Sequence, residues 1–396
     1  MKDNTTVNYS RQIRNVLVFC GVILFLYVLK IAHEVTLPLV VALFLFCFAS
    51  PVMDRLVRLK VPNAIAIFIV LAIIVVIFIS FAYVIYLMVN MLIGRLDYYA
   101  YRVAFMDRTL SAFLSEYLED IPKDYSFLSS LNFDWLSIAK SWLASISSKV
   151  MAILSDAMLI FVTVLFLLLE RTTFLPKIMV AFPRDKGSRL MAMLGRVTKQ
   201  VSKYLFLKTI ISAVTGVLFY FAALAVKLDF ALVWGVLAFV LNFIPTIGSI
   251  IVTALTILMA LIQFFPDPVP VIAVAFMTVA IEMVVGNIID PRLQGVQLNI
   301  SPFAILVSLS LWGYIWGIVG MFLAVPLMSI IQITCAIIPS LRPVAVLLSS
   351  GKSYVREYKD QEKAGKGLLR RRNKESEKSP LDDVILPEKG DEKKDE

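Results

Sequence analysis

Along this chain the apolar residues do not alternate; they gather into long runs separated by short polar stretches. Six runs have the length of full helical membrane spans, at about residues 15–32, 35–52, 63–93, 150–169, 208–226 and 269–289. Two more, Phe230 to Gln263 and Pro302 to Ile338, are almost wholly apolar but interrupted near the middle by helix-breaking residues. Removing about five turn residues from the first leaves two arms of roughly 21 Å, against a hydrocarbon core of about 30 Å. The pattern predicts an all-α polytopic membrane protein of six spans plus two re-entrant helical hairpins, 230–263 and 302–338. Interrupted backbone at membrane depth survives only inside protein or beside a wet cavity, because lipid offers freed N–H and C=O groups no partner. Such a plan is that of a transport pathway.

Positive charge sets the expected orientation. Arg55, Arg58 and Lys60 share one short loop, while Arg171, Lys177, Arg184, Lys186, Arg189, Arg196, Lys199, Lys203 and Lys208 fill another, with Asp185 its one acid. Placing both loops in the cytoplasm puts the N- and C-termini inside and 95–149 outside. The fifth span with its hairpin and the sixth with its hairpin then form two units of opposite orientation. Inverted repeats of broken helices are a recurring plan of secondary transporters, with solute bound where the hairpin tips meet. The chain divides into N-terminal spans (1–94), an extracytoplasmic helical segment (95–149), a transport core (150–350) and a charged tail (351–396).

Composition agrees: hydrophobic residues make up 59% and charged residues 17% of the 396 residues, and mean hydropathy is +0.84. Cys20, Cys47 and Cys335 lie in apolar runs without metal or disulfide spacing. Outside the spans, Trp135, Ile138, Trp142 and Ile146 recur at helical spacing and predict an interfacial or packing helix. Within the basic segment 171–207, Leu190, Leu194, Val197, Val201 and Leu205 form a stripe opposite Arg189, Arg196 and Lys203. That predicts an amphipathic helix lying on anionic lipid rather than a nucleic-acid surface. The tail balances its charges and predicts a solvated, disordered extension.

Three runs carry a family resemblance: LNFIPTIGS (Leu241 to Ser249), EMVVGNIIDPRLQG (Glu282 to Gly295) and SPFAILVSLSLWGYIWGIVGMFLAVP (Ser301 to Pro326). In order and spacing the chain resembles the autoinducer-2 exporter permeases over roughly Arg11 to Pro339; the extracytoplasmic segment and the tail match poorly. The resemblance implies a homo-oligomeric permease of the bacterial inner membrane, pentameric in form. Export of the signal autoinducer-2 and exchange of sodium or lithium for protons are both activities assigned within the family, so the partner is a small polar solute or a monovalent cation and proton.

Glu282 is the leading transport candidate, a carboxylate within MTVAIEMVVGNII. A charge there must face protein or water, and both a proton or cation site and a structural hydrogen bond fit it. Asn287 and Asp290 lie three residues apart on one predicted face; Asp290 and Arg292 read as a structural ion pair near the boundary. In the first hairpin Pro245 and Gly248 predict an unwound tip, where Asn242, Thr246 and Ser249 offer oxygens and an amide to a solute or cap the broken arms. In the second, Gly313, Gly317 and Gly320 permit close helix approach or a hinge, and Pro326 is expected to break the later arm.

Enzyme chemistry finds no assembled group in the sequence. His33 is the one histidine and there is no HExxH motif, phosphate-binding loop or cofactor signature. A serine hydrolase would need a base near Ser249, and an aspartyl pair would have to join Asp156 to Asp290 from opposite boundaries. No metal or cofactor is expected. A membrane scaffold acting through its tail is the remaining alternative, and it leaves the polar hairpin residues unexplained.

Overall fold

A computed structural model describes residues 3–117, 135–294, 299–351 and 354–355. It is almost entirely helical, with one isolated bridge, Ile300 to Ser349, and no strand among the described residues. In chain order the helices are α1 (Asp3–Ile31), α2 (His33–Arg58), α3 (Asn63–Ile93), α4 (Leu96–Tyr117), α5 (Trp135–Ala181), α6 (Arg184–Ala225), α7 (Ala231–Leu241) and α8 (Ile247–Phe264). They continue as α9 (Pro268–Val284), a π-helical turn (Val285–Ile289), α10 (Asp290–Gln294), α11 (Pro302–Ile337) and α12 (Arg342–Leu348). Among the described residues seven helices are long and apolar enough to cross a membrane, among them α8 and α11, which belong to the hairpins. The apolar part of α1, Val16–Ile31, is shorter than the rest.

Helix ends follow local chemistry. Asp267 caps α9 by accepting from the Val269 N–H at 3.0 Å, and Ser301 caps α11 by accepting from Ala304; each is followed by proline at the first helical position. Pro183, extended at φ −51° and ψ 144°, separates α5 from α6. The basic segment is therefore divided between two long helices. Its stripe is not laid along a surface: Val201 is buried with Phe44, Cys47 and Leu323, and Val197 and Leu205 pack against that group. The amphipathic stretch is the near end of α6, clamped between α2 and α11, and the Ser202 hydroxyl donates to the Cys47 carbonyl. This corrects the expectation of a helix resting on lipid.

Small side chains let α2, α3 and α5 approach: Ala42, Ala49, Ala66, Ile160, Val164 and Leu168 form one core. The outward faces are apolar too, with Phe68, Phe276 and Val180 between 73% and 89% exposed, which suits lipid rather than water. Trp142 is exposed on α5, which fits an interfacial position; the side chains of Trp135, Ile146 and Asp156 lie outside the described residues, as does nearly all of the tail.

Both broken runs fold back on themselves. In the first, α7 has 11 residues and α8 has 18, so the arms are unequal rather than matched. Trp234 shares a core with Ala260, and Ala238 with Val252, which a straight helix would hold more than about 20 Å apart. In the second, Trp316 (φ −124°, ψ 15°) and Gly317 (φ 62°, ψ −143°) interrupt α11. The Ser308 hydroxyl donates to the Ala324 carbonyl at 2.7 Å across that turn, where a straight helix would separate them by about 24 Å. Pro326 lies fully buried inside the second arm, which continues through it. The break expected at Pro326 is therefore made at Trp316–Gly317, where only glycine tolerates the dihedrals.

Candidate functional site

On α6, Lys208, Ser212 and Thr215 occupy one face at spacings of four and three, and all three are at most 2% exposed. At the residue after Thr215, Gly216 meets Gly235 of α7. A Cβ on Gly216 would lie 2.6 Å from the Gly235 carbonyl oxygen, so bare backbone is what lets the short arm lie against α6. That contact brings Asn242, at the end of α7, onto the polar face. Its Nδ2 donates to Ser212 Oγ at 3.1 Å and to Thr215 Oγ1 at 3.4 Å. Asn242 thus ties the tip to α6 by its side chain, while its backbone N–H caps the end of α7.

The tip itself is strained. Thr246 is held at φ 64°, a conformation rare for a β-branched residue, and the Ser249 hydroxyl donates to its carbonyl at 3.0 Å. Gly248 is required because a Cβ there would drive into the Leu241 carbonyl. Pro245 sits in the turn, and its carbonyl accepts from the Ile247 N–H.

Opposite this tip, α9 brings in Glu282, close to Ser249, Lys208 and Asp290. Its Oε1 is buried and has no hydrogen-bond partner. The π turn that follows widens the helix before Asp290, whose Oδ2 lies 2.9 Å from Lys208 Nζ. The Lys208 side chain is 3% exposed and that of Asp290 22%. The pair joins residues 82 apart, so the expected Asp290–Arg292 pairing is corrected: Arg292 is exposed and Lys208 is the cation beside Asp290. Asn287 is exposed within the π turn and does not share the inward face with Asp290. Of the predicted residues, the structure brings together Glu282, Asp290, Ser249 and Asn242, adds Lys208, Ser212 and Thr215, and leaves Asn287 and the Thr246 side chain at the edge.

The two tips meet through apolar groups. Ile244 is buried among Leu309, Trp312, Ile315 and Trp316, and Phe243 stacks on Phe322 at 5.6 Å. Gly320 lies beneath the Trp312 carbonyl and Gly313 against Met321, so these glycines do serve close approach. Trp312 and Trp316 stack at 4.8 Å.

A second polar assembly sits at the other end of the first hairpin. Arg102 of α4 donates to the carbonyls of Ile262, Gln263 and Phe265 at 3.3, 2.5 and 2.8 Å, capping α8. Tyr99 donates to Asp229 at 2.7 Å, with Arg95 3.4 Å from the same carboxylate. Burial and the bond to Asp229 push the Tyr99 phenol above its ordinary range, so it remains a donor. Gln263 links the two turns, accepting from Asp229 N–H and donating to the Lys227 carbonyl. Among the described residues no three His, Cys, Asp or Glu side chains converge as metal ligands.

Comparison with known proteins places this architecture. The sequence model described as AI-2E family transporter matches residues 19–340. The chain belongs to the AI-2E transporter family. It is 32% identical over 335 residues to the AI-2 transport protein TqsA of Escherichia coli K12, covering 84% of this chain and 93% of that one. A Borreliella burgdorferi protein, provisionally named as a transport protein, is 32% identical over 336 residues, covering 84% and 90%. A similarly named protein of Haemophilus influenzae is 28% identical over 357 residues, covering 86% and 97%. This family member is a multi-pass membrane transporter, and the matched residues contain both hairpins and the Lys208–Asp290–Glu282 cluster.

Proposed function

We propose that this transporter exports a small polar solute by alternating access, and that the solute passes the cluster of Lys208, Asp290, Glu282 and Ser249. The observation that carries this reading is the Glu282 Oε1, buried without a partner beside an ion pair at the foot of a broken helix. An acceptor left open at membrane depth costs several kcal/mol. A solute hydroxyl, a proton or a cation would fill it in the loaded state.

In this reading both hairpins are re-entrant, the two span-and-hairpin units are inverted, and they move against the first four spans. The protein resides in the inner membrane with both termini cytoplasmic and works as a homo-oligomer. The TqsA relative is named for AI-2 transport, and that solute is the first to test here. Purified protein in liposomes holding a pH-sensitive dye is challenged in turn with autoinducer-2, sodium and lithium gradients. Solute flux that is lost in Glu282→Gln, without cation-driven proton movement, is the expected result. Proton movement driven by sodium or lithium and lost in the same variant would replace export with antiport, the second activity that a lone carboxylate beside a lysine could serve. Full solute flux in Glu282→Gln would remove Glu282 from the path.

A further inference from the structure

Away from the hairpin tips, a cavity of about 380 Å³ opens between the basic end of α6 and the last turns of α11. Arg196, Lys199 and Lys203 line one side at helical spacing, joined by Gln200; the other side is Gln332 with the aliphatic end of α11. Among the described residues no carboxylate lines it. None of the three cations forms an ion pair with a described residue. Gln332 is the telling residue: it is 7% exposed, lines the cavity, and its amide makes no hydrogen bond to any described residue. Its amide is not among the polar atoms sealed from solvent, so the open donor faces the cavity.

We infer that this cavity is a binding site for a phosphate-bearing anion. Three positive charges supply the attraction, Arg196 can grip two phosphate oxygens at once, and the buried Gln332 amide supplies a neutral donor. The volume admits a phosphate group with part of what it is attached to. A lipid headgroup and a soluble phosphate share this chemistry. An anion bound here bridges α6, which carries Lys208, to the second hairpin, so its presence would bear on how freely that hairpin moves. The site is separate from the solute path and does not depend on what the protein transports.

The test uses full-length protein in two arms. In phosphatidylcholine nanodiscs, inorganic phosphate is titrated against sodium chloride of equal ionic strength with thermal unfolding as the readout. In mixed nanodiscs, retained phosphatidylglycerol is counted by native mass spectrometry. Saturable stabilisation or lipid retention in the wild type is expected, lost in R196Q/K199Q/K203Q and weakened roughly tenfold or more in Gln332→Leu. A response to phosphate alone assigns a soluble ligand, to phosphatidylglycerol alone a headgroup, and to both the shared chemistry. Gln332→Glu keeps the side-chain volume and places a negative charge in the cavity, so it should stay folded and lose the response. No response beyond chloride in either arm, or an equal response in wild type and Gln332→Glu, overturns the site.

Discussion

The first hairpin parts its arms around Asn242–Thr246 and sets buried polar groups against α6 and α9, whereas the second turns within Trp316–Gly317 and buries indoles and glycines. Their outlines are alike, but their interiors differ in what they can exchange. In the second, the Ser308 hydroxyl is spent on Ala324, while the indole Nε1 atoms of Trp312 and Trp316 and the Ser329 hydroxyl are buried without a partner. Beside the tip of the first, with its strained Thr246, lie an ion pair and an open carboxylate oxygen carried by neighbouring helices. What sets the first apart is charge beside its break, an ion pair and a second carboxylate, where the run of the second contains no charged residue. In the proposed reading the first hairpin is the binding element and the second the wedge against which it closes.

Breaking the ion pair is the largest expected perturbation. Lys208→Ala leaves Asp290 without its buried cation and should destabilise the protein by about 3–5 kcal/mol in a denaturant or thermal series. Combining Lys208→Met with Asp290→Leu should restore most of that stability but not transport, and restored transport would make the pair purely structural. Gly320→Ala pushes a Cβ into the Trp312 carbonyl and should cost about 1–3 kcal/mol, stiffening or splaying the wedge. Ser308→Ala should cost about 1 kcal/mol with transport retained, since it only pins the arms.

An effect of similar size is expected at the α4 clamp. Tyr99→Phe should lose about 1 kcal/mol. Because the native phenol holds its proton above the usual range, the unfolded chain releases that proton first as pH rises past about 10. Stability gained from Tyr99 is thus full below that pH and declines above it, and Tyr99→Phe should flatten that part of an alkaline unfolding profile.

How much of this was legible beforehand depended on distance along the chain. Spans and hairpins were readable because long apolar runs and Pro or Gly interruptions are local signals, and Glu282 stood out as an acid inside such a run. Lys208 did not, because it follows a series of loop cations. The signal that could have found it is the stripe Lys208, Ser212, Thr215, polar at helical spacing inside an apolar helix. Arg292 is the near neighbour of Asp290 in sequence, whereas the cation beside Asp290 in space lies 82 residues away, across the π turn and two hairpin arms. Pro326 was expected to break its arm, but its missing donor is tolerated inside a packed helix, while Gly317 adopts the dihedrals that reverse the chain. Nothing local announces Arg102, whose acceptors lie 160 to 163 residues away.

The most direct measurement of the difference between the hairpins is thiol accessibility in a background with Cys20, Cys47 and Cys335 replaced. Ser249→Cys and Ser308→Cys are each treated with a membrane-impermeant maleimide from either side of the bilayer, with and without transported solute. The account predicts that Ser249→Cys is modified and protected by solute, while Ser308→Cys stays inert. Equal labelling of the two positions, or labelling of Ser249→Cys that solute leaves unchanged, would contradict it.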